Sequence, residues 1–174
     1  YNTQGTLTVS NSIFYGNTAT YADGGGGGIY SYSGTVNVSN STFTGNSADD
    51  GGGIFSFGNT LTVSNSTFSG NNAGTGGGIY NNGALTVSDS TFSGNNSGGG
   101  IFNNGALIVG NSTFVGNSSG YVGGGIYNYS NGSTLTVSNS TFSNTSAAYG
   151  GGIGTQGGMV TVSNSTFSAN TATY

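Results

Sequence analysis

Apolar and polar residues alternate with period two over short runs, and the runs recur every 22–29 residues along the chain. In residues 76–95, GGGIYNNGALTVSDSTFSGN, Leu85 and Val87 alternate with Ala84, Thr86 and Ser88. That period predicts a strand with Leu85 and Val87 inward and Thr86 and Ser88 outward. Ile79-Tyr80 predicts a second short strand and Thr91-Phe92 a third, with Ile79 and Phe92 inward. Asn82-Gly83 and Gly94-Asn95 supply corners, because both residue types tolerate left-handed backbone. No 3.6-residue period supports a helix. Seven phenylalanines mark the recurrence, Phe14, Phe43, Phe68, Phe92, Phe114, Phe142 and Phe167, at spacings of 29, 25, 24, 22, 28 and 25. A fixed period of this size is the signature of stacked coils.

One coil cannot fold by itself. Its four or five inward side chains contribute roughly 1.5–3 kcal/mol each, whereas ordering some ~25 backbone residues costs about 1–2 kcal/mol each. Parallel stacking, with ladders about 4.8 Å apart, must supply the difference. The expected fold is all-β: a right-handed parallel β-helix of about seven coils, three short strands per coil, forming one repeat array over residues 1–174. The hand follows from the crossover rule for parallel strands.

The repeats predict which residues stack. Leu7, Val36, Leu61, Leu85, Leu107, Leu135 and Val160 form one inward column. Val9, Val38, Val63, Val87, Val109, Val137 and Val162 form another, and the Phe column and the column Ile29, Ile54, Ile79, Ile101, Ile126, Ile153 complete the core. Two asparagine columns are expected at corners. One is Asn17, Asn46, Asn71, Asn95, Asn117 and Asn170, broken at Thr145. The other is Asn11, Asn40, Asn65, Asn111, Asn139 and Asn164, with Asp89 standing in the column between Asn65 and Asn111. Both are read as inward, since a stacked amide donates to one coil and accepts from the next.

Composition narrows the function. The chain has no Lys, Arg, His, Cys, Pro or Trp, and its four acidic residues leave it 2% charged, against about 25% in an ordinary domain. Without a cation to neutralise phosphate, nucleic acid is not an expected partner. No run reaches the ~20 apolar residues of a membrane-spanning helix. A Gly-, Ser-, Thr- and Asn-rich chain with no Lys or Arg suits an extracellular or cell-surface setting.

Two motifs carry a family resemblance. GGGI stands at Gly26 to Ile29, Gly51 to Ile54, Gly76 to Ile79, Gly98 to Ile101, Gly123 to Ile126 and Gly150 to Ile153. F-x-x-N stands at Phe14 to Asn17, Phe43 to Asn46, Phe68 to Asn71, Phe92 to Asn95, Phe114 to Asn117 and Phe167 to Asn170; Phe142 is followed by Asn144-Thr145 and departs from it. The chain resembles the repeats of chlamydial polymorphic outer-membrane proteins and related bacterial β-helix surface proteins. The resemblance implies a right-handed β-helix and a role in surface display or adhesion.

Candidate contact residues follow from the outward positions. Tyr1, Tyr30, Phe55, Tyr80, Phe102 and Tyr127 form an outward aromatic column that ends at Gly154. It is read either as a stiffening ladder or as a platform for glycan. A second face carries Thr6, Thr8, Ser10, Thr35, Asn37, Ser39, Thr60, Thr62, Ser64, Thr134, Thr136 and Ser138, a T-x-T array that resembles those of ice-binding proteins, broken at Ala106, Ile108, Gly110 and Met159. The N-S-T triplets match the N-glycosylation sequon; with their asparagines read as inward, Asn37 and Asn131 are the better acceptors. Asp23 and Asp49/Asp50 fall in corresponding loops of adjacent coils, close enough to consider a carboxylate pair. With no His, Lys or Arg beside them, no catalytic, cofactor or metal site is expected. Neither end shows a polar cap, so the array is expected to continue onto further copies of itself or further repeats. The first expectation is therefore a self-assembling strut or stalk. The alternative is an adhesin that recognises glycan, or ice, through an outward column.

Overall fold

The computed structural model describes residues 1–20 and 25–174, and Asp23 lies outside them. The described residues form strands and turns with no helix. Every named strand pair is parallel, and like pairs with like: Phe92 faces Phe68 and Phe114, and Leu85 faces Leu61 and Leu107. Seven coils result, as the seven-stranded sheet from Ile13–Tyr15 to Thr166–Ser168 shows.

The other two strands of each coil belong to one larger sheet. In three consecutive coils they merge into the long strands Ile29–Ser39, Ile54–Ser64 and Ile79–Ser88. In the next three they separate, as Ile101–Asn103 and Ala106–Gly110 do. Short extra pairs such as Asn72–Ala73 with Asn96–Ser97 run along the returning loops.

The core is the predicted set of columns. Phe43, Phe68, Phe92, Phe114 and Phe142 are fully buried, as are Ile54, Ile79, Ile101 and Ile126. The seven rings stack at 4.5–4.8 Å and within 6° of parallel. That spacing is the distance between adjacent strands, so the ring stack and the strand ladder reinforce each other. Glycine makes the approach possible. A Cβ on Gly78 would stand 2.5 Å from the Gly100 carbonyl oxygen of the next coil and 3.0 Å from Cδ1 of Phe92.

The asparagine column from Asn17 to Asn170 is inward and continuous except at Thr145. Asn71 Nδ2 donates to Asn95 Oδ1 at 3.0 Å, and Asn95 Nδ2 to Asn117 Oδ1 at 2.8 Å. The same Nδ2 atoms also donate backwards to the carbonyls of Phe43 and Phe68.

The second asparagine column is not inward. Asn11, Asn40, Asn65, Asp89, Asn111, Asn139 and Asn164 are all exposed, with φ of 46–50°. The corner requires one residue in the left-handed region, and Asn or Asp tolerates it best among non-glycine residues. That residue breaks the in–out alternation. Val38 points in and Ser39 out, but Asn40 also turns out, so that Ser41 points in and Phe43 regains the core. The inward ladder at this corner is therefore serine: Ser41 N–H donates to Ser66 Oγ, Ser66 N–H to Ser90 Oγ and Ser90 N–H to Ser112 Oγ, at 3.1–3.2 Å. Each Oγ donates to the carbonyl two residues back, as Ser66 does to Ser64 at 2.7 Å.

A third inward amide ladder runs beside the Ile column. Asn81 Nδ2 donates to Asn103 Oδ1 and Asn103 Nδ2 to Asn128 Oδ1, both at 2.8 Å. In the two preceding coils the position is held by the buried Ser31 and Ser56. There an irregularity between Phe57 and Thr60 turns Asn59 inward, and its Nδ2 reaches the Ser31 carbonyl at 2.9 Å. Ser56 has no amide to donate, and Asn81 Oδ1, at the start of the ladder, is unpaired among the described residues.

Candidate functional site: a tyrosine cleft on the outer sheet face

Because Ile101, Ile126 and Ile153 point inward, each following residue points outward. Each coil therefore presents two outward positions, flanking the inward Ser or Asn. The first gives Tyr1, Tyr30, Phe55, Tyr80, Phe102, Tyr127 and Gly154, in register. The second gives Thr3, Tyr32, Phe57 and Asn82 in the early coils, and Asn104, Tyr129 and Gln156 in the later ones.

The first column stacks but is not an open platform. Tyr30, Phe55, Tyr80 and Phe102 lie 4.8–5.0 Å apart and within 20° of parallel. Phe55 is 7% exposed, Phe102 8% and Tyr127 9%. Val122, on the loop before a glycine run, packs against Phe102 and Tyr127 and covers them. Tyr1 is the fully open member.

The stack ends at Tyr127, whose ring stands at 80° to that of Phe102. The next position is Gly154, and a Cβ there would lie 2.3 Å from Val122 Cγ1. With no ring to stack on, the Tyr127 hydroxyl donates instead to Gln156 Oε1. Val122 fills the place of the missing side chain, and beside Gly154 lies a cleft of about 430 Å³, lined by Tyr121, Val122, Tyr149, Ile153, Thr155 and Gln156 among others. Gln156 also lines a neighbouring concavity of about 410 Å³ with Tyr129, Ser130 and Asn131. Tyr121 and Tyr149 meet edge to face at 5.9 Å, as do Tyr127 and Tyr129 at 5.6 Å.

The electrostatics are those of a neutral site. None of the lining residues is charged. Burial, then the neighbouring Tyr121 and Tyr129, push the Tyr127 phenol above its ordinary range, so it stays a neutral donor at physiological pH. On the same face, burial and the Asp50 charge raise Tyr80, against a hydrogen bond with Asn82 that lowers it.

The remaining sequence candidates are scattered. The proposed pair of Asp23 with Asp49/Asp50 lies in part outside the described residues. Asp50 is half-buried beside Thr75, with its carboxyl raised chiefly by burial. Asp89 is exposed on another corner. Among the described residues, no three His, Cys, Asp or Glu come together in a metal-binding group, and no helix is long and apolar enough to cross a membrane. Asn131 is exposed beside the cleft, whereas Asn37 is half-buried within a strand. The N-S-T asparagines, read from sequence as inward, are all exposed corner residues and hence accessible acceptors.

The sequence reading missed Tyr121, Tyr149, Tyr129 and Gln156. Their signal was weak: tyrosines in the two longest loops of the later coils, and the loss of the aromatic at Gly154. Comparison with curated proteins and with solved structures gives no match. The model describing a right handed beta helix region matches residues 1–171, and with the parallel coils described above this places the chain in the right-handed β-helix family.

Proposed function

We propose that this protein is a structural β-helix, a stiff strut or stalk at the cell surface or outside the cell, which lengthens by adding coils of the same kind. The observation that carries the reading is like on like along the core: Phe on Phe and Leu or Val on Leu or Val at each step, with amide on amide in the Asn column except at Thr145. Such a stack has no intrinsic terminus, because each coil offers the next the same backbone groups and the same side chains. Phe167 is 45% exposed where Phe142, covered by a coil on each side, is fully buried. Another copy, or further repeats in the same chain, can continue the stack, and a contact that does not close gives a filament. The likeness to chlamydial surface repeats and the near absence of charge support the surface setting.

Sedimentation and electron microscopy test this directly. Head-to-tail assembly predicts mass that rises with concentration, and filaments with a layer line near ~4.8 Å. Phe167→Asp, which places a charge at the exposed ring position, should hold the chain monomeric with its strand content intact. Rods that stay single at high concentration would refute self-assembly.

A further inference from the structure

We propose that the cleft beside Gly154 is a binding site for neutral carbohydrate, one or two pyranose rings deep. The proposal stands whether or not the rod assembles end to end.

Three observations converge on this chemistry. First, the volume of about 430 Å³ falls in the range of small-ligand sites, and it sits where the regular outer column is interrupted. Second, the walls are exposed tyrosines. Tyr121 is 60% exposed and Tyr149 49%, the two are held edge to face, and Tyr129, 44% exposed, stands in the adjoining concavity. A phenol ring offers an apolar face and a polar tip. A pyranose is the complementary object: its C–H face lies on the ring and its hydroxyl rim meets the polar tips.

Third, the polar groups are neutral and orientated. Tyr127 donates its hydroxyl hydrogen to Gln156 Oε1, which fixes the amide of an otherwise exposed side chain. The Gln156 NH₂ then remains as a donor between the two concavities it lines, with Asn131 and the Tyr129 hydroxyl on the far side. An acidic polysaccharide finds no counter-charge here, because the chain has no Lys, Arg or His. A purely apolar ligand would strand the amide and phenol groups. A neutral sugar satisfies both demands.

The protein carries its own reporter. It has eleven tyrosines and no tryptophan, so intrinsic emission comes from tyrosine, two of them in the cleft wall and a third in the adjoining concavity. The experiment titrates the whole chain with neutral hexaoses of glucose, xylose, mannose and N-acetylglucosamine, and with hexagalacturonate as the acidic control. Tyrosine fluorescence and calorimetry are the readouts. At least one neutral series should bind in the low millimolar range or tighter, and hexagalacturonate should not. Tyr149→Ala and Gln156→Ala should each weaken binding about ten-fold, roughly 1.4 kcal/mol. Tyr15→Ala, on another face and 76% exposed, should leave it unchanged. Both cleft residues are partly or fully exposed, so circular dichroism should show all three variants folded. Failure of every neutral series to bind, binding of the acidic sugar alone, or binding indifferent to Tyr149 and Gln156 would each overturn the assignment.

Discussion

Asn95 and Asn65 are indistinguishable by residue type and both recur once per coil, yet replacing each with alanine should have very different consequences. Asn95 is fully buried. Its Oδ1 accepts from Asn71 N–H at 3.1 Å and Asn71 Nδ2 at 3.0 Å, and its Nδ2 donates to the Phe68 carbonyl at 3.0 Å and to Asn117 Oδ1 at 2.8 Å. Asn95→Ala deletes all four. At about 0.5–1.5 kcal/mol net per bond, and about 1–3 kcal/mol for a buried donor such as the Asn71 N–H left unpaired, the loss sums to about 3–5 kcal/mol once partial relaxation is allowed. For a domain of this size, that lowers the melting temperature by about 6–20 °C. Asn65 is exposed, and its contribution is its left-handed φ of 46°. Asn65→Ala should therefore cost only about 1 kcal/mol, the penalty of a Cβ in that region.

Urea titrations followed by far-UV circular dichroism separate the two variants, and amide exchange of Asn71 locates the damage. Exchange at Asn71 should accelerate in Asn95→Ala and be unchanged in Asn65→Ala. Equal destabilisation by the two substitutions, or a larger loss at Asn65, would refute the assignment of the inward ladder and with it the phase reset at the corner.

Two further outcomes follow from the same structure. Thr145→Asn should stabilise the protein by about 1–2 kcal/mol, read as a shift of the urea midpoint, because it restores an acceptor for the Asn117 amide while giving up the Thr145 hydroxyl bonds near Gly151 and Asn170; a destabilised variant would show that the break is needed locally. Asp50 is raised by burial and by Asp49, against the lowering effect of its bond with Thr75, so ionising it penalises the folded state. That penalty is absent below the unfolded carboxylate value of about 3.9 and grows as pH rises through the folded value. Asp50→Asn should thus stabilise the protein at neutral pH and leave it unaltered at acid pH, measured by melting temperature against pH; a variant that gains nothing at neutral pH would show the carboxylate to be well solvated.

What the sequence revealed and what it concealed divide along one physical line. Period two is a property of a continuous strand, so the apolar positions were placed correctly from the alternation alone: Leu85, Val87, Phe92, Ile79 and their columns. Asn82-Gly83, read as a corner, instead lie within the strand Ile79–Ser88, which also turns Asn81 inward. A corner residue with positive φ shifts the phase, and the alternation does not say which residue carries the shift. Extrapolating from Val38 through the corner puts Asn40 inside; extrapolating back from Phe43 puts Ser41 inside, and the structure agrees with the second. The conflict between the two extrapolations was itself visible in V-S-N-S-T-F, where four residues separate two inward positions and an odd step must occur. Whichever residue best tolerates the left-handed region absorbs that step, and Asn outranks Ser there.

The cleft was concealed for a different reason. Ladders are built by repetition, and repetition is what a periodic reading detects. A binding site on such a rod must be an exception to the repeat, since an unbroken column closes on itself, as Phe55 and Phe102 do by stacking and burial. Gly154 is such an exception, in register with six aromatic residues. Its missing side chain leaves the Tyr127 ring without a stacking partner and makes room for Val122, and the loops bearing Tyr121 and Tyr149 wall the cleft beside it. In a solenoid whose columns are this regular, the informative positions for recognition are those where a column fails. The positions where it succeeds account for stiffness, which is why the Phe spine and the amide ladders support a strut while a single glycine on the outer face supports a site.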